Sequence, residues 1–209
     1  MKVAKEGLPL VVPFFFLAIL SFVAGRWLLF AISLVLTFCF SFFFRTPKRQ
    51  IPQDNNLILS PADGKVIKIE NIESLPPFPF PATVVSIFLS LLDVHITRTP
   101  LSGTVGEIED KPGLFFPAYK DDASKKNKST SVFINGSGAN ILINQIAGFA
   151  ARRIKCFIKK NEKITRGQKM GLIYFGSRVD IYLPREVRLK ISLNQKVKAG
   201  ETSIAEIKP

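Results

Sequence analysis

Two patterns divide the chain. From Leu8 to Phe44 almost every position is apolar: the only charge is Arg26, and ten of the nineteen Phe fall in this window. Beyond Thr46-Pro47 the pattern changes to short runs of β-branched and aromatic residues, punctuated by Gly, Pro and Asn. The first pattern predicts membrane helices; the second predicts a mostly β domain.

The apolar window splits at Gly25-Arg26-Trp27 into two helical stretches, Leu8 to Ala24 and Trp27 to Phe44. Each is about 26 Å long as a helix, at the short end for a hydrocarbon core of about 30 Å. Glycine permits a reversal, and Arg26 and Trp27 suit an interface. A helical membrane hairpin over residues 1–44 is therefore expected, spanning twice or dipping in and returning. Lys2 and Lys5 precede it and Arg45, Lys48 and Arg49 follow it, so the positive-inside rule puts both ends in the cytoplasm. A cleaved signal peptide fits less well, because the run is too long and no small-residue cleavage site closes it.

In the rest of the chain, strands are expected at Lys65 to Glu70, Ala82 to Leu89, Ser131 to Ile134, Asn140 to Ile146, Arg153 to Ile158, Gly171 to Tyr174, Val179 to Leu183 and Val187 to Leu193. Internal echoes accompany them. SPADGKVIKI at 60–69 matches TPLSGTVGEI at 99–108, and NEKITRGQKMG at 161–171 matches NQKVKAGETSIA at 194–205. These turns are similar to those of lipoyl- and biotinyl-type β-folds. The expected architecture for residues 45–209 is a duplicated lipoyl/biotinyl-like β-sandwich. A polar loop at 110–130 carries an aromatic knot, Phe115 to Tyr119, that either dips into a bilayer or packs over a sheet edge.

The net charge is +13, and from Gln145 onward there are 15 Lys or Arg against 5 Asp or Glu. Beside a membrane anchor, an anionic lipid surface is the favoured partner and nucleic acid is not; a plainly solvated face is the competing reading. Cys39 and Cys156 form no CxxC pair and there is one His, which argues against a disulfide framework and against a metal site.

Few residues offer chemistry. His95 is the one neutral-pH base that composition allows. Asp63, in LSPADGKV, and Ser177, in YFGSRVD, read by themselves as turn residues.

Six segments change that weighting. FFRTPKR at 43–49, LSPADGKV at 59–66, SIFLSLLDVHITRTPLSGTVG at 86–106, YKDDASKKN at 119–127, NQIAGFAARRI at 144–154 and GLIYFGSRVDIYLP at 171–184 stand in order along the chain. Together they resemble the short bacterial and archaeal phosphatidylserine decarboxylase proenzymes. The resemblance implies a carboxy-lyase that turns phosphatidylserine into phosphatidylethanolamine through a Schiff base. The cofactor it implies is a pyruvoyl group derived from Ser177 by autocatalytic serinolysis at Gly176-Ser177. It implies two chains, 1–176 and 177–209, held as a heterodimer, and a higher oligomer is compatible with it. Ser177, His95 and Asp63 are the implied catalytic residues, with Asp63 orienting His95, and no metal is called for. The implied setting is the cell (inner) membrane, with phosphatidylserine as partner and the catalytic domain on the cytoplasmic side. Longer family members carry a second His where this chain has Arg98. A non-enzymatic reading, a membrane-anchored lipoyl-like adaptor, accounts for the hairpin and repeats but not for FGSRVD, SPADG and the single His together.

Overall fold

A computed structural model gives the fold and describes residues 2–73, 81–118, 123–148, 153–174 and 177–207. The chain divides into two units, Met1–Lys48 and Arg49–Pro209.

In the first unit, β1 (Lys2–Val3) precedes α1 (Leu8–Val23) and α2 (Trp27–Phe43), and β2 (Arg45–Thr46) closes the unit. The helices fall where the apolar runs predict them. With the 3-10 turn before α1, the run Lys5–Val23 is long and apolar enough to cross a membrane. Gly25 makes the reversal at φ +66°, a left-handed conformation that glycine adopts without strain. Phe14 stacks on Phe40 at 5.5 Å, and Phe22 meets Trp27 and Phe30. The buried positions inside the two helices are mostly small, Ala18, Ser21 and Ser33, which lets backbones approach closely. Large apolar side chains such as Val23, Leu28 and Phe38 point outward instead. That inside-out distribution suits a lipid environment. At the open end, β1 pairs antiparallel with β2, so the two ends of the hairpin lie side by side.

The second unit is built almost entirely of strands. They are β3 (Leu57–Leu59), β4 (Gly64–Ile72), β5 (Ala82–Leu89), β6 (Ile96–Arg98), β7 (Gly103–Lys111), β8 (Ser129–Gly136), β9 (Asn140–Ala147), β10 (Ile154–Cys156), β11 (Lys163–Ile164), β12 (Lys169–Ile173), β13 (Ser177–Pro184), β14 (Arg188–Leu189), β15 (Lys196–Val197) and β16 (Ser203–Glu206). Eight of them form one sheet in the order β11-β7-β8-β9-β13-β5-β4-β15. Two three-stranded sheets, β10-β12-β6 and β14-β16-β3, complete the unit. One face of the large sheet supplies the core through Val85, Ile87, Leu89, Ile143, Val179 and Ile181. β13 lies at the centre and is buried on both faces from Ser177 to Leu183.

Most expected strands are present, but Val187 to Leu193 shortens to β14. The nine-residue β7 has no counterpart in the alternation of the sequence. A register shift between Val105 and Ile108 explains this, because an extra residue breaks the period of two that marks a strand.

The repeated turns make matching bonds. Asn161 and Asn194 take φ of 65° and 69°, and Gly167 and Gly200 take 78° and 72°. Asn161 N–H donates to Val105 O as Asn194 N–H donates to Val66 O, each at 2.8 Å. Gly167 N–H meets Thr99 O at 2.8 Å, and Gly200 N–H meets Ser60 O at 2.9 Å.

Gly64 opens β4 at φ +148°, and a Cβ there would stand 2.1 Å from the Phe88 carbonyl oxygen. That oxygen is backbone and cannot step aside. Gly64→Ala is expected to cost about 2–3 kcal/mol, the strain of a disallowed backbone angle joined to the clash. A urea titration of purified protein measures it; an unchanged midpoint would show that β4 can shift away from β5.

Candidate active site

Antiparallel register gathers the candidate residues at one end of the large sheet. Ser177 is the first residue of β13, opposite Leu89 of β5 on one side and Ala147 of β9 on the other. Read locally, Gly-Ser suggested a turn. The structure instead places Ser177 in a ladder, fully buried. Among the described residues its Oγ has no hydrogen-bond partner. A buried hydroxyl without a partner is uncommon and costly, so it points to a task other than packing. Gly176, the expected cleavage partner, lies outside the described residues, as do Tyr119 of the aromatic knot and residues 149–152 of the ARRI segment.

His95 reaches the same end. The chain leaves β5 at Leu89, turns through Ser90 to Val94 and returns in β6. The amide and hydroxyl of Ser90 both donate to Asp93 Oδ2, at 2.8 and 2.6 Å, which fixes the turn. His95 is fully buried, its carbonyl accepts from Ile173 N–H at 3.1 Å, and its Nδ1 lies 3.0 Å from the Asp93 carbonyl. A carbonyl can only accept, so Nδ1 carries the proton. In the neutral ring the basic lone pair is then on Nε2, the arrangement a general base needs.

Asp63 ends the turn before β4, two strand spacings or about 10 Å from β13 in the plane of the sheet. Its carboxylate accepts two bonds from Arg49 Nη2, at 2.9 and 2.8 Å, and one from Ala199 N–H at 2.8 Å. Asp63, expected to orient His95, is thus engaged with Arg49 and Ala199, while the Asp93 carbonyl meets the His95 ring. Arg49 also lies 3.6 Å from Glu201. Arg98 donates to Gly167 O at 2.7 Å. Burial and the charge of Arg49 pull its guanidinium down from the usual range, while Asp63 and Glu201 oppose the shift. The position that differs from longer family members therefore belongs to an ionic group of Arg49, Asp63, Arg98 and Glu201. Sequence reading counted Arg49 only among the positive charges that flank the hairpin, although it also closes the FFRTPKR segment.

On the opposite face of β13, Arg178 Nε donates to Asp180 Oδ1 at 2.6 Å and Arg178 Nη2 to Ser86 Oγ at 2.8 Å, all three residues being buried. Burial pushes the Asp180 carboxyl up, and Arg178 pulls it back. Here the RVD of FGSRVD acts as an internal ion pair that seats the strand directly after Ser177. Burial likewise pushes Tyr182, two residues on, up to about 12.

Comparison with known proteins fits this arrangement. A family profile described as phosphatidylserine decarboxylase matches residues 36–205. A phosphatidylserine decarboxylase proenzyme of Syntrophus aciditrophicus (strain SB) is 37% identical over 205 residues, covering 97% of this chain and 96% of that protein. Proteins of the same name from Desulfotalea psychrophila (strain LSv54 / DSM 12343) and Paraburkholderia phymatum (strain DSM 17167 / CIP 108236 / LMG 21445 / STM815) are 38% and 39% identical, each covering 98% of this chain. They cover 96% and 97% of those two proteins. The chain is a decarboxylase. The chain belongs to the phosphatidylserine decarboxylase family.

Two outcomes follow from the buried pair and its neighbour. Asp180→Ala removes the carboxylate that balances the buried Arg178 charge and is expected to cost about 3–5 kcal/mol, whereas Arg178→Met with Asp180→Leu costs much less; denaturant titrations of the three proteins compare them. The Tyr182 phenol is raised in the fold, so the stability it contributes is intact below pH 10 and is lost as pH climbs from 10 towards about 12. Phenolate absorbance followed alongside unfolding tests this, and ionisation of Tyr182 at pH 10 in the folded protein would contradict it.

Proposed function

We propose that this chain matures by cutting itself between Gly176 and Ser177, and that the mature enzyme decarboxylates phosphatidylserine to phosphatidylethanolamine. The observation that carries the reading is the buried, unpartnered Ser177 Oγ at the head of β13, with His95 delivered to the same end of the sheet.

His95 Nε2 takes the Oγ proton, and Oγ forms a bond to the Gly176 carbonyl carbon. The C–N bond then breaks, the nitrogen recovers a proton, and the amide has become an ester. Loss of the residue-177 α-proton expels the Gly176 carboxylate and leaves dehydroalanine; water then releases ammonia. What remains on the chain from Arg178 onward is a pyruvoyl group, whose carbonyls supply the electron sink for decarboxylation. The site suits it: Leu89 and Ala147 flank residue 177, and the surrounding interior excludes bulk water. Asp63 acts in this scheme with Arg49 as a positioning pair, since its carboxylate carries the Ala199 amide of the C-terminal segment.

The two products stay together as a heterodimer for a structural reason. Residues 177–209 supply β13 between β5 and β9, β15 against β4 and β16 against β3. Cutting one peptide bond removes none of those ladders. The matched turns at 161–167 and 194–200 support a duplicated lipoyl/biotinyl-like sandwich. The apolar hairpin supports a domain division into an anchor at 1–44 and a decarboxylase domain at 45–209. It also supports attachment to the cell inner membrane, with Lys2, Lys5, Arg45 and Lys48 setting the cytoplasmic side. An anionic lipid substrate suits the basic C-terminal third.

Purified protein should run as a large chain and a 33-residue fragment, residues 177–209. Ser177→Ala should stay whole and inactive, and His95→Ala should slow cleavage by roughly 10²–10⁴-fold, the range lost with a general base. Gel electrophoresis of freshly made protein reads both; fragment release from Ser177→Ala would overturn the mechanism.

A further inference from the structure

The interior beside Ser177 contains a second buried polar atom without a partner, and it is a donor. Gln145 lies in β9 opposite Val179, two residues before Ala147, which lies opposite Ser177. Residues two apart on a strand share a face, so Gln145 and Ser177 project from the same side of the sheet as diagonal neighbours. Such neighbours stand about 7–8 Å apart in the backbone, within reach of a long side chain. Gln145 is completely buried on the face that otherwise supplies aliphatic core. Its Oε1 accepts from Thr97 Oγ1 at 3.0 Å, and among the described residues its Nε2 has no hydrogen-bond partner.

The surroundings are shaped around this amide. Thr97 lies opposite Gly171 in the β6–β12 pairing. A Cβ on Gly171 would stand 2.7 Å from Gln145 Oε1 and 2.8 Å from the Lys155 carbonyl. Absence of that Cβ makes room for the amide oxygen, and the Thr97 hydroxyl ties it down. Once Oε1 is fixed, the two N–H bonds have a set direction. Thr97 also belongs to the strand that follows His95, so the proposed base and the residue orienting the amide lie two residues apart in the chain. A primary amide left half-satisfied in an apolar interior is destabilising and would ordinarily be replaced by an aliphatic side chain.

We propose that Gln145 is a catalytic residue of maturation, donating an N–H hydrogen bond to the oxygen that becomes negative when Ser177 Oγ adds to the preceding carbonyl. This rests on the self-cleavage reading above. In that step the Oγ proton passes to His95, the new O–C bond forms, and the carbonyl electron pair moves onto oxygen. The oxyanion is bonded to the same carbon as Oγ, so a long donor side chain at the diagonal position on the same face can serve it. A preorganised donor in a water-excluded site lowers this barrier without having to reorganise. Thr97 is the positioning residue.

The test is a time course of fragment release from newly synthesised full-length chain, in wild type, Gln145→Met, Thr97→Val and the double variant. Cleavage of Gln145→Met should slow by about 10²–10³-fold, the loss usual for one such donor. Thr97→Val should slow it less. Added hydroxylamine, which cuts esters, should not restore the fragment, because the missing step precedes the ester. Melting is compared in the uncut Ser177→Ala background. There the double variant should melt no lower than its parent, since it replaces a half-satisfied polar pair by apolar groups. Wild-type cleavage rates in Gln145→Met, or hydroxylamine-released fragment at the wild-type rate, would overturn the inference. So would a double variant that melts well below its parent, which assigns Gln145 to structure. If wild type cuts and the variants cut equally, only the role of Gln145 fails; if wild type stays whole, the self-cleavage reading fails with it.

Discussion

The ladder that clamps β13 between β5 and β9 determines everything else at the site. Eight consecutive pairings to β5 and six to β9 leave β13 no freedom of register. A slip of one residue would turn Ser177, Val179 and Ile181 to the opposite face and bring Arg178 and Asp180 into the aliphatic core. The strand is therefore doubly specified, by apolar residues on one face and by a buried ion pair on the other. Ser177 stands at its first position, where the ladder begins, so the hydroxyl is held without being bonded.

Around that strand the structure retains polar groups where aliphatic ones would pack better. The ion pair of Arg178 and Asp180 and the carboxylate of Asp63 have their partners. Among the described residues Ser177 Oγ and Gln145 Nε2 have no hydrogen-bond partner, and neither does Arg49 Nε. The bonded groups fix register and join the C-terminal segment to the rest of the unit; Ser177 and Gln145 share the face of the sheet that supplies the aliphatic core. His95 is held at the same end of the sheet, its Nδ1 donating to the Asp93 carbonyl.

Much of this was legible in the sequence, and the exceptions share a physical cause. The hairpin was readable to within a residue at each end because a membrane helix is an uninterrupted apolar run. β5 was readable residue for residue because it is buried on both faces and rich in Val and Ile. β7 was not, since its bulge disrupts the alternation on which strand reading depends. Ser177 looked like a turn because Gly precedes it, and only the paired strands on either side reveal a ladder. Asp63 carried a motif but not its partner: Arg49 is 14 residues away and Ala199 is 136 away, separations that no local pattern encodes. Gln145 sat inside NQIAGF with nothing to mark it. An unsatisfied amide is a property of three-dimensional surroundings, and here those are supplied by Thr97 and Gly171 from another sheet.

The central claim is that the buried hydroxyl of Ser177 is converted rather than merely exposed when the chain is cut. The intact mass of the small chain from freshly purified protein tests it most directly. The account predicts a fragment lighter than residues 177–209 with an ordinary serine amino terminus by one molecule of ammonia. A fragment with the full mass of Ser177–Pro209 would mean simple hydrolysis, and would contradict the account.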